Sequence, residues 1–185
     1  MPPLRLRPFL AAATTTVLLL VATVLLAGAT EADAGKSLAS AFLDPHNAAR
    51  RAVGVGPLRW DERLAAYARR YAAARSGDCA LAHSHGPYGE NLFRGSGGAG
   101  WTPADVVGAW VRERALYDRR ANACRGGGGH GACGHYTQVV WRGTTAVGCA
   151  LVPCAGGRAT FGICSYNPPG NYVGPTPHAR TDACI

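Results

Sequence analysis

Read for the spacing of apolar side chains, the chain separates into one long apolar run followed by short amphipathic segments. Phe9 to Ala29 is apolar nearly throughout; after a polar, alanine-rich stretch at 30 to 37, "FLDPHNAARRAVG" predicts a first helix ending at Gly54. In "WDERLAAYARRYAAARSGD" the stripe Leu64, Ala68, Tyr71 and Ala72 has helical spacing, Asp61 stands where an N-cap is needed, and Gly77 stops the pattern. A third helix is predicted from "WTPADVVGAWVRERALYD", where Thr102 is the cap, Pro103 the first helical position and Asp105 completes a capping box. "CGHYTQVVWRG", 133 to 143, predicts a fourth. Alternation then takes over: "AVGCALV" (146 to 152) and "ATFGICSY" (159 to 166) read as two strands joined by a turn containing Gly156 and Gly157, and "ENLF" (90 to 93) as part of a third. Helices around a small antiparallel sheet point to an α+β fold of three layers with the sheet in the middle.

The apolar run changes how the amino terminus is read. Arg5 and Arg7 precede it and "AGA" at 27 to 29 offers small residues for cleavage, so residues 1–29 are expected to be a signal peptide, with 30–37 a linker. A retained membrane anchor is the alternative, because the run is long enough to span a bilayer. The cysteines agree with export: all seven, Cys79, Cys124, Cys133, Cys149, Cys154, Cys164 and Cys184, fall after the expected cut, a density that predicts disulfides in an oxidising compartment. Seven is odd, and Cys184, one residue from the end, is the expected unpaired thiol, able to link two copies. The formal charge is +8, with eighteen arginines among nineteen basic residues. Such a chain is drawn to acidic polysaccharide or to anionic membrane surfaces. Nucleic acid is not expected, because the arginines are scattered and no nucleic-acid motif accompanies them. The glycine-rich "RGSGGAG" (94 to 100) and "RGGGGHG" (125 to 131) lack the Gly-Lys-Ser/Thr of a phosphate loop and read as surface loops.

Four polar residues lie in segments that otherwise face the core. Glu113 follows Trp110 by three residues and Val106 by seven, so a continuous helix places it on their inward face. A carboxylate there needs a cationic or hydrogen-bonding partner. His135 starts the fourth helix directly after a cysteine, with Val139 one turn on; His83 lies four residues after Cys79, with Glu90 beyond a Gly/Pro-containing turn. The two histidines and two glutamates either converge on one hollow or are separately satisfied, and spacing alone leaves both readings open. Convergence would allow the two imidazoles, His83 and His135, to hold a divalent metal such as zinc, with a glutamate activating water. There is no HExxH motif, and Ser84 has no identifiable triad around it.

The segments "HSHGPYGENLF", "CGHYTQVVWRG" and "CSYNPPGNYVG" resemble the motifs of the CAP superfamily of cysteine-rich secretory, antigen 5 and pathogenesis-related class 1 proteins. "FLDPHNAARRAVGVGPLRWDERLA" and "GDCALAHS" are similar to the plant class in particular, and the likeness runs from 41 to 178. It implies a disulfide-stabilised α-β-α sandwich over 38–178, followed by a C-terminal extension, 179–185. It also implies a cleft tetrad of His83, Glu90, Glu113 and His135, with His85 an additional exposed side chain. The implied pairing is Cys79 with Cys154, Cys124 with Cys133, and Cys149 with Cys164; on the chain-entropy model the longest loop contributes roughly 4 to 5 kcal/mol and the short ones about 3 each. The resemblance further implies a secreted, apoplastic, non-enzymatic defence protein, monomeric, with no required cofactor. Its implied ligand is a sterol or lipid, held near the segment from Tyr117 to Gly134, where Tyr117, Arg119 and Arg120 fall. Here "PPGNYVGPTPH" continues into "ARTDACI" beyond His178, so the signalling peptide released by relatives is not carried over.

Overall fold

The computed structural model describes residues 38–98, 100–125, 131–172 and 176–177. The chain divides into units Met1–Leu38 and Ala39–Ile185, and the architecture below is that of the second. The expected signal peptide and linker, Cys184 and the C-terminal extension lie outside the described residues. Among those described, no helix is long and apolar enough to cross a membrane.

Helix α1 covers 38–51 and turns inward the stripe Phe42, His46 and Arg50, each at most 1% exposed. A two-residue strand, β1 (Arg59–Trp60), leads into α2 (Glu62–Arg75), whose start is fixed by Asp61 accepting from the Arg63 and Leu64 amides. Strand β2 (Gly89–Ser96) and helix α3 (Pro103–Arg112) follow, α3 opening with the Thr102–Asp105 capping box. The helix then tightens into a 3₁₀ turn, Glu113–Leu116, and the chain forms a small hairpin of β3 (Tyr117–Asp118) and β4 (Ala123–Cys124). Helix α4 (Gly134–Val139) precedes the long strands β5 (Ala146–Cys154) and β6 (Ala159–Asn167).

The main sheet has the order β1-β5-β6-β2. Its long strands β5, β6 and β2 are antiparallel, as expected, and the two-residue β1 adds a parallel edge beside β5. Two residues carry no legible alternation, so β1 has no sequence signal of its own. Period-two alternation sorts the other strands into two faces. Leu92, Ala150, Phe161 and Ile163 pack with Ala68 and Ala72 of α2. On the opposite face Tyr166 meets His46 of α1, Asn91 meets the His135 carbonyl of α4, and Gly162 lies against Val106 of α3. This is the α-β-α sandwich. Strand β2 includes Arg94, Gly95 and Ser96, expected to be loop; they pair with β6 to Ala159. The outer edge of β2 is not left bare, since the indoles of Trp110 and Trp101 donate to the carbonyls of Leu92 and Ser96.

Three disulfides pin the layers, Cys79–Cys154, Cys124–Cys133 and Cys149–Cys164. The last joins residues directly opposite each other on β5 and β6.

Candidate functional site

The first wall of the site is the segment between Cys79 and β2. It has no regular structure, and side chains hold it instead: Tyr71 Oη donates to Ala82 O at 2.6 Å, and the Tyr67 and Ser84 hydroxyls are 2.7 Å apart. Gly86 leaves room for this contact, since a Cβ there would stand 1.9 Å from Tyr67 Oη and displace that side chain. Glu90, at the start of β2, collects the Ser84 amide at 2.9 Å, the Ser84 hydroxyl, and His83 Nδ1 at 3.3 Å. Its side chain is 4% exposed and that of His83 is 55% exposed. The hydrogen bond to Glu90 holds the His83 imidazole above its ordinary value, against the effect of burial. Burial pushes the Glu90 carboxyl up, but the hydrogen bonds from His83 and Ser84 outweigh it and hold it below its ordinary value.

The second wall is the beginning of α4. Its N-cap, Cys133, makes no side-chain capping bond because its sulfur is bonded to Cys124. Glu113 supplies the cap from another element: Oε2 accepts from the amides of His135 (3.0 Å) and Tyr136 (3.3 Å), while Oε1 accepts from His135 Nδ1 at 2.6 Å. Glu113 is not buried on a continuous helix face, as the spacing predicts. It is the C-cap of α3, half-buried, where the chain passes into the 3₁₀ turn and the side chain is free to reach α4. The His135 ring stacks on Trp110. Behind it runs a buried polar chain: Asn91 Nδ2 donates to His135 O (3.0 Å) and Tyr166 Oη (3.2 Å), and Tyr166 Oη lies 2.8 Å from His46 Nε2. Burial lowers the His46 pKa to about 4, and burial also pushes the Tyr166 hydroxyl up, so both are neutral. His46 Nδ1 therefore donates to Phe42 O at 2.7 Å, and its Nε2 accepts from Tyr166.

Between the walls is a cavity of about 280 Å³ lined by His83, Glu90, Asn91, Gly131, Gly134, His135 and Asn171. His83, Glu90 and His135 thus share one hollow, and Glu113 stands behind His135. Asn91 and Asn171 are the lining residues that sequence reasoning missed. Asn171 Oδ1 accepts from the Thr137 hydroxyl and its Nδ2 donates to Gly134 O, so it fastens the segment after β6 onto α4. Gln138 does the same one turn on, accepting from the Gly170 amide at 2.9 Å. A polar residue inside a helix that otherwise heads for the core was the available signal for Gln138. His85 is exposed and outside the cavity lining.

Chemically, both carboxylates are engaged by protein donors. Each imidazole gives Nδ1 to a glutamate, which leaves the lone pair of the neutral ring on Nε2, the arrangement that orients metal-binding histidines. Two such nitrogens are half of a tetrahedral zinc set. Among the described residues no group of three or more His, Cys, Asp or Glu is arranged to hold a metal ion.

A disulfide-pinned α-β-α sandwich with a His/Glu cleft between the segment leading into β2 and the start of α4 defines a class, and comparison with known proteins agrees. The chain belongs to the CAP family, the cysteine-rich secretory protein family, whose model matches residues 43–166. It is 54% identical over 143 residues to pathogenesis-related protein PR-1 of Medicago truncatula, covering 77% of this chain and 80% of the relative, and so is a plant pathogenesis-related protein 1-like chain. Among solved structures, Na-ASP-1 is 27% identical with a TM-score of 0.62, covering 76% of this chain and 41% of that one. The crystal structure of NaASP2 with Zn2+ has a TM-score of 0.61 at 24% identity, covering 80% of this chain and 87% of the other, a likeness of fold.

Proposed function

We propose that the chain is a secreted, apoplastic plant defence protein that binds sterol-class lipids without catalysing a reaction, and that withdrawal of sterol gives it antimicrobial activity. The observation that favours binding over hydrolysis is the engagement of both cleft carboxylates: Glu113 caps α4 and Glu90 holds Ser84 and His83. A hydrolytic base needs a carboxylate oriented on water near the reacting atom, not one occupied with amides and hydroxyls. Export is supported by the charged start and apolar run of residues 1–29 and by three disulfides. The sterol is assigned to the segment from Tyr117 to Gly134, which the Cys124–Cys133 bond ties to α4. The protein recovered from plant tissue and analysed by mass spectrometry should carry sterol. Binding of labelled sterol should be lost when residues 117–134 are replaced and should survive His83→Gln/His135→Gln. Retention of binding in the first variant overturns the assignment.

A metal-dependent hydrolase is the second reading. It is favoured by the two Nε2 atoms available at the cavity and by a family fold that has been solved with Zn2+ in NaASP2. Peptide cleavage that requires added zinc and disappears in Glu90→Gln would establish it in place of the first.

A further inference from the structure

The outward side of α2 carries a surface that neither the cleft nor residues 117–134 use. Arg63, Tyr67 and Arg70 are four and three residues apart, so they share one face of the helix, with the two arginines roughly 10 Å apart along its axis. The contacts agree: the Arg70 guanidinium lies over the Tyr67 ring, 5.8 Å from its centroid. Tyr88 stands edge to face with Tyr67 at 5.1 Å, and the Tyr67 hydroxyl is held by Ser84, so the ring pair is fixed from the segment that leads into β2. Arg63 and Arg70 are exposed, and both tyrosines are half-buried. The acids of α2 and its flanks are engaged elsewhere: Asp61 caps the helix, Glu62 accepts from the Trp60 indole and pairs with Arg69, and Asp78 pairs with Arg75. Among the described residues neither Arg63 nor Arg70 has an acidic partner. The other positions on this face, Ala66 and Ala74, are small.

We infer that this face binds an acidic polysaccharide of the uronate class, with Arg63 and Arg70 on carboxylates and Tyr88 against the apolar face of a pyranose ring. The charge of the whole chain attracts any polyanion, and the face is what selects among them. A guanidinium fork matches a carboxylate, and a ring held beside it suits a ligand that alternates carboxylates with C–H faces. An anionic bilayer would need an aliphatic side chain to enter it, and α2 offers none beyond alanine on this face. An acidic peptide would use the arginines and leave the ring idle. The inference goes beyond sterol capture, since it involves neither residues 117–134 nor the cleft.

The test is biolayer interferometry of the mature, disulfide-intact protein on immobilised polygalacturonate, on its highly methyl-esterified form and on poly-L-glutamate. Binding to polygalacturonate is expected, weakening as salt rises, and is lost on the ester, whose carboxylates are masked. Arg63→Ala/Arg70→Ala should weaken it roughly tenfold. Arg112→Ala/Arg114→Ala, which removes two exposed charges on the other side of the sheet, should leave it within about twofold. Tyr88→Ala should weaken binding to polygalacturonate about fivefold and leave binding to poly-L-glutamate unchanged. Equal loss in the two arginine variants, undiminished binding to the ester, or equal loss on both polymers in Tyr88→Ala each overturns the proposal. So does binding to phosphatidylserine vesicles that depends on Arg63 and Arg70 without binding to polygalacturonate. Sterol binding that fails while polygalacturonate binding persists removes the preceding reading and leaves this one.

Discussion

Glu113 spends both oxygens on the first turn of α4, so its worth is that of a charged cap contributed by another element. Glu113→Gln keeps the shape and loses the charge; the expected cost is about 1 to 2 kcal/mol in urea unfolding, and Glu113→Ala, which strands two amides and the imidazole, about 2 to 3 kcal/mol. An unchanged midpoint for both would mean that water replaces the carboxylate at no loss. Glu90 and His83 predict a pH window. His83 is held above its ordinary 6.5, so its contribution is complete below 6.5 and disappears as pH rises through the higher folded value. Glu90 is held below its ordinary 4.5, so its contribution is complete above 4.5 and disappears as pH falls through the lower folded value. The pair is therefore most stabilising between about 4.5 and 6.5. Subtracting the stability curve of His83→Gln from that of the parent should leave a hump in that interval, and a flat difference would show that the pair is screened by water.

At the scale of elements, the contact between α2 and the sheet has one point of no clearance. A Cβ on Gly148 of β5 would stand 2.1 Å from the Ala65 amide nitrogen and 2.5 Å from the Leu64 carbonyl carbon, both backbone. Gly148→Ala must lift the first turn of α2, and a loss of about 3 kcal/mol or more is expected in denaturant unfolding. Gly77→Ala, with nothing within 4 Å, should change it by less than about 0.5 kcal/mol. Elements with a periodic stripe and a cap were legible in sequence: α2 starts after Asp61, and α3 after Thr102. Those defined by tertiary contact were not. Helix α4 ends at Val139 rather than continuing to 143, because Trp141 and Thr144 turn their carbonyls to the Arg50 guanidinium. The inward stripe of α1 is two-thirds polar, so apolar spacing points only to Phe42, and neither His46 nor Arg50 was singled out. His83, Glu90, Glu113 and His135 were recognisable through motifs, whereas Asn91 became visible only when β2 was placed beside α4.

Across the whole molecule, the buried polar chain joins the sheet to the helical layer of α1 and α4 and sets a pH limit on the fold. It runs from Phe42 O through His46 and Tyr166 to Asn91, and on to the His135 carbonyl at the cleft. Arg50 lies beside it, fully buried, with four of its five donors aimed at backbone carbonyls of Gly56, Val139, Trp141 and Thr144; burial lowers its pKa to about 10, which still leaves it charged. Protonating His46 would place a second cation next to Arg50 and leave two donors facing the Tyr166 hydroxyl. The sign follows from where the proton goes first. The unfolded chain protonates this histidine near 6.5 and the folded protein only near about 4, so between those values the unfolded state binds more protons and stability falls as pH falls. The interval amounts to about 3 kcal/mol. In urea titrations from neutral pH to pH 4, parent minus His46→Gln should slope in that direction, while His83→Gln leaves the slope in place. A parent as stable relative to the variant at pH 4 as at pH 7 would mean that the folded protein protonates His46 as readily as the unfolded chain does, with its Nε2–H then donating to Tyr166 Oη.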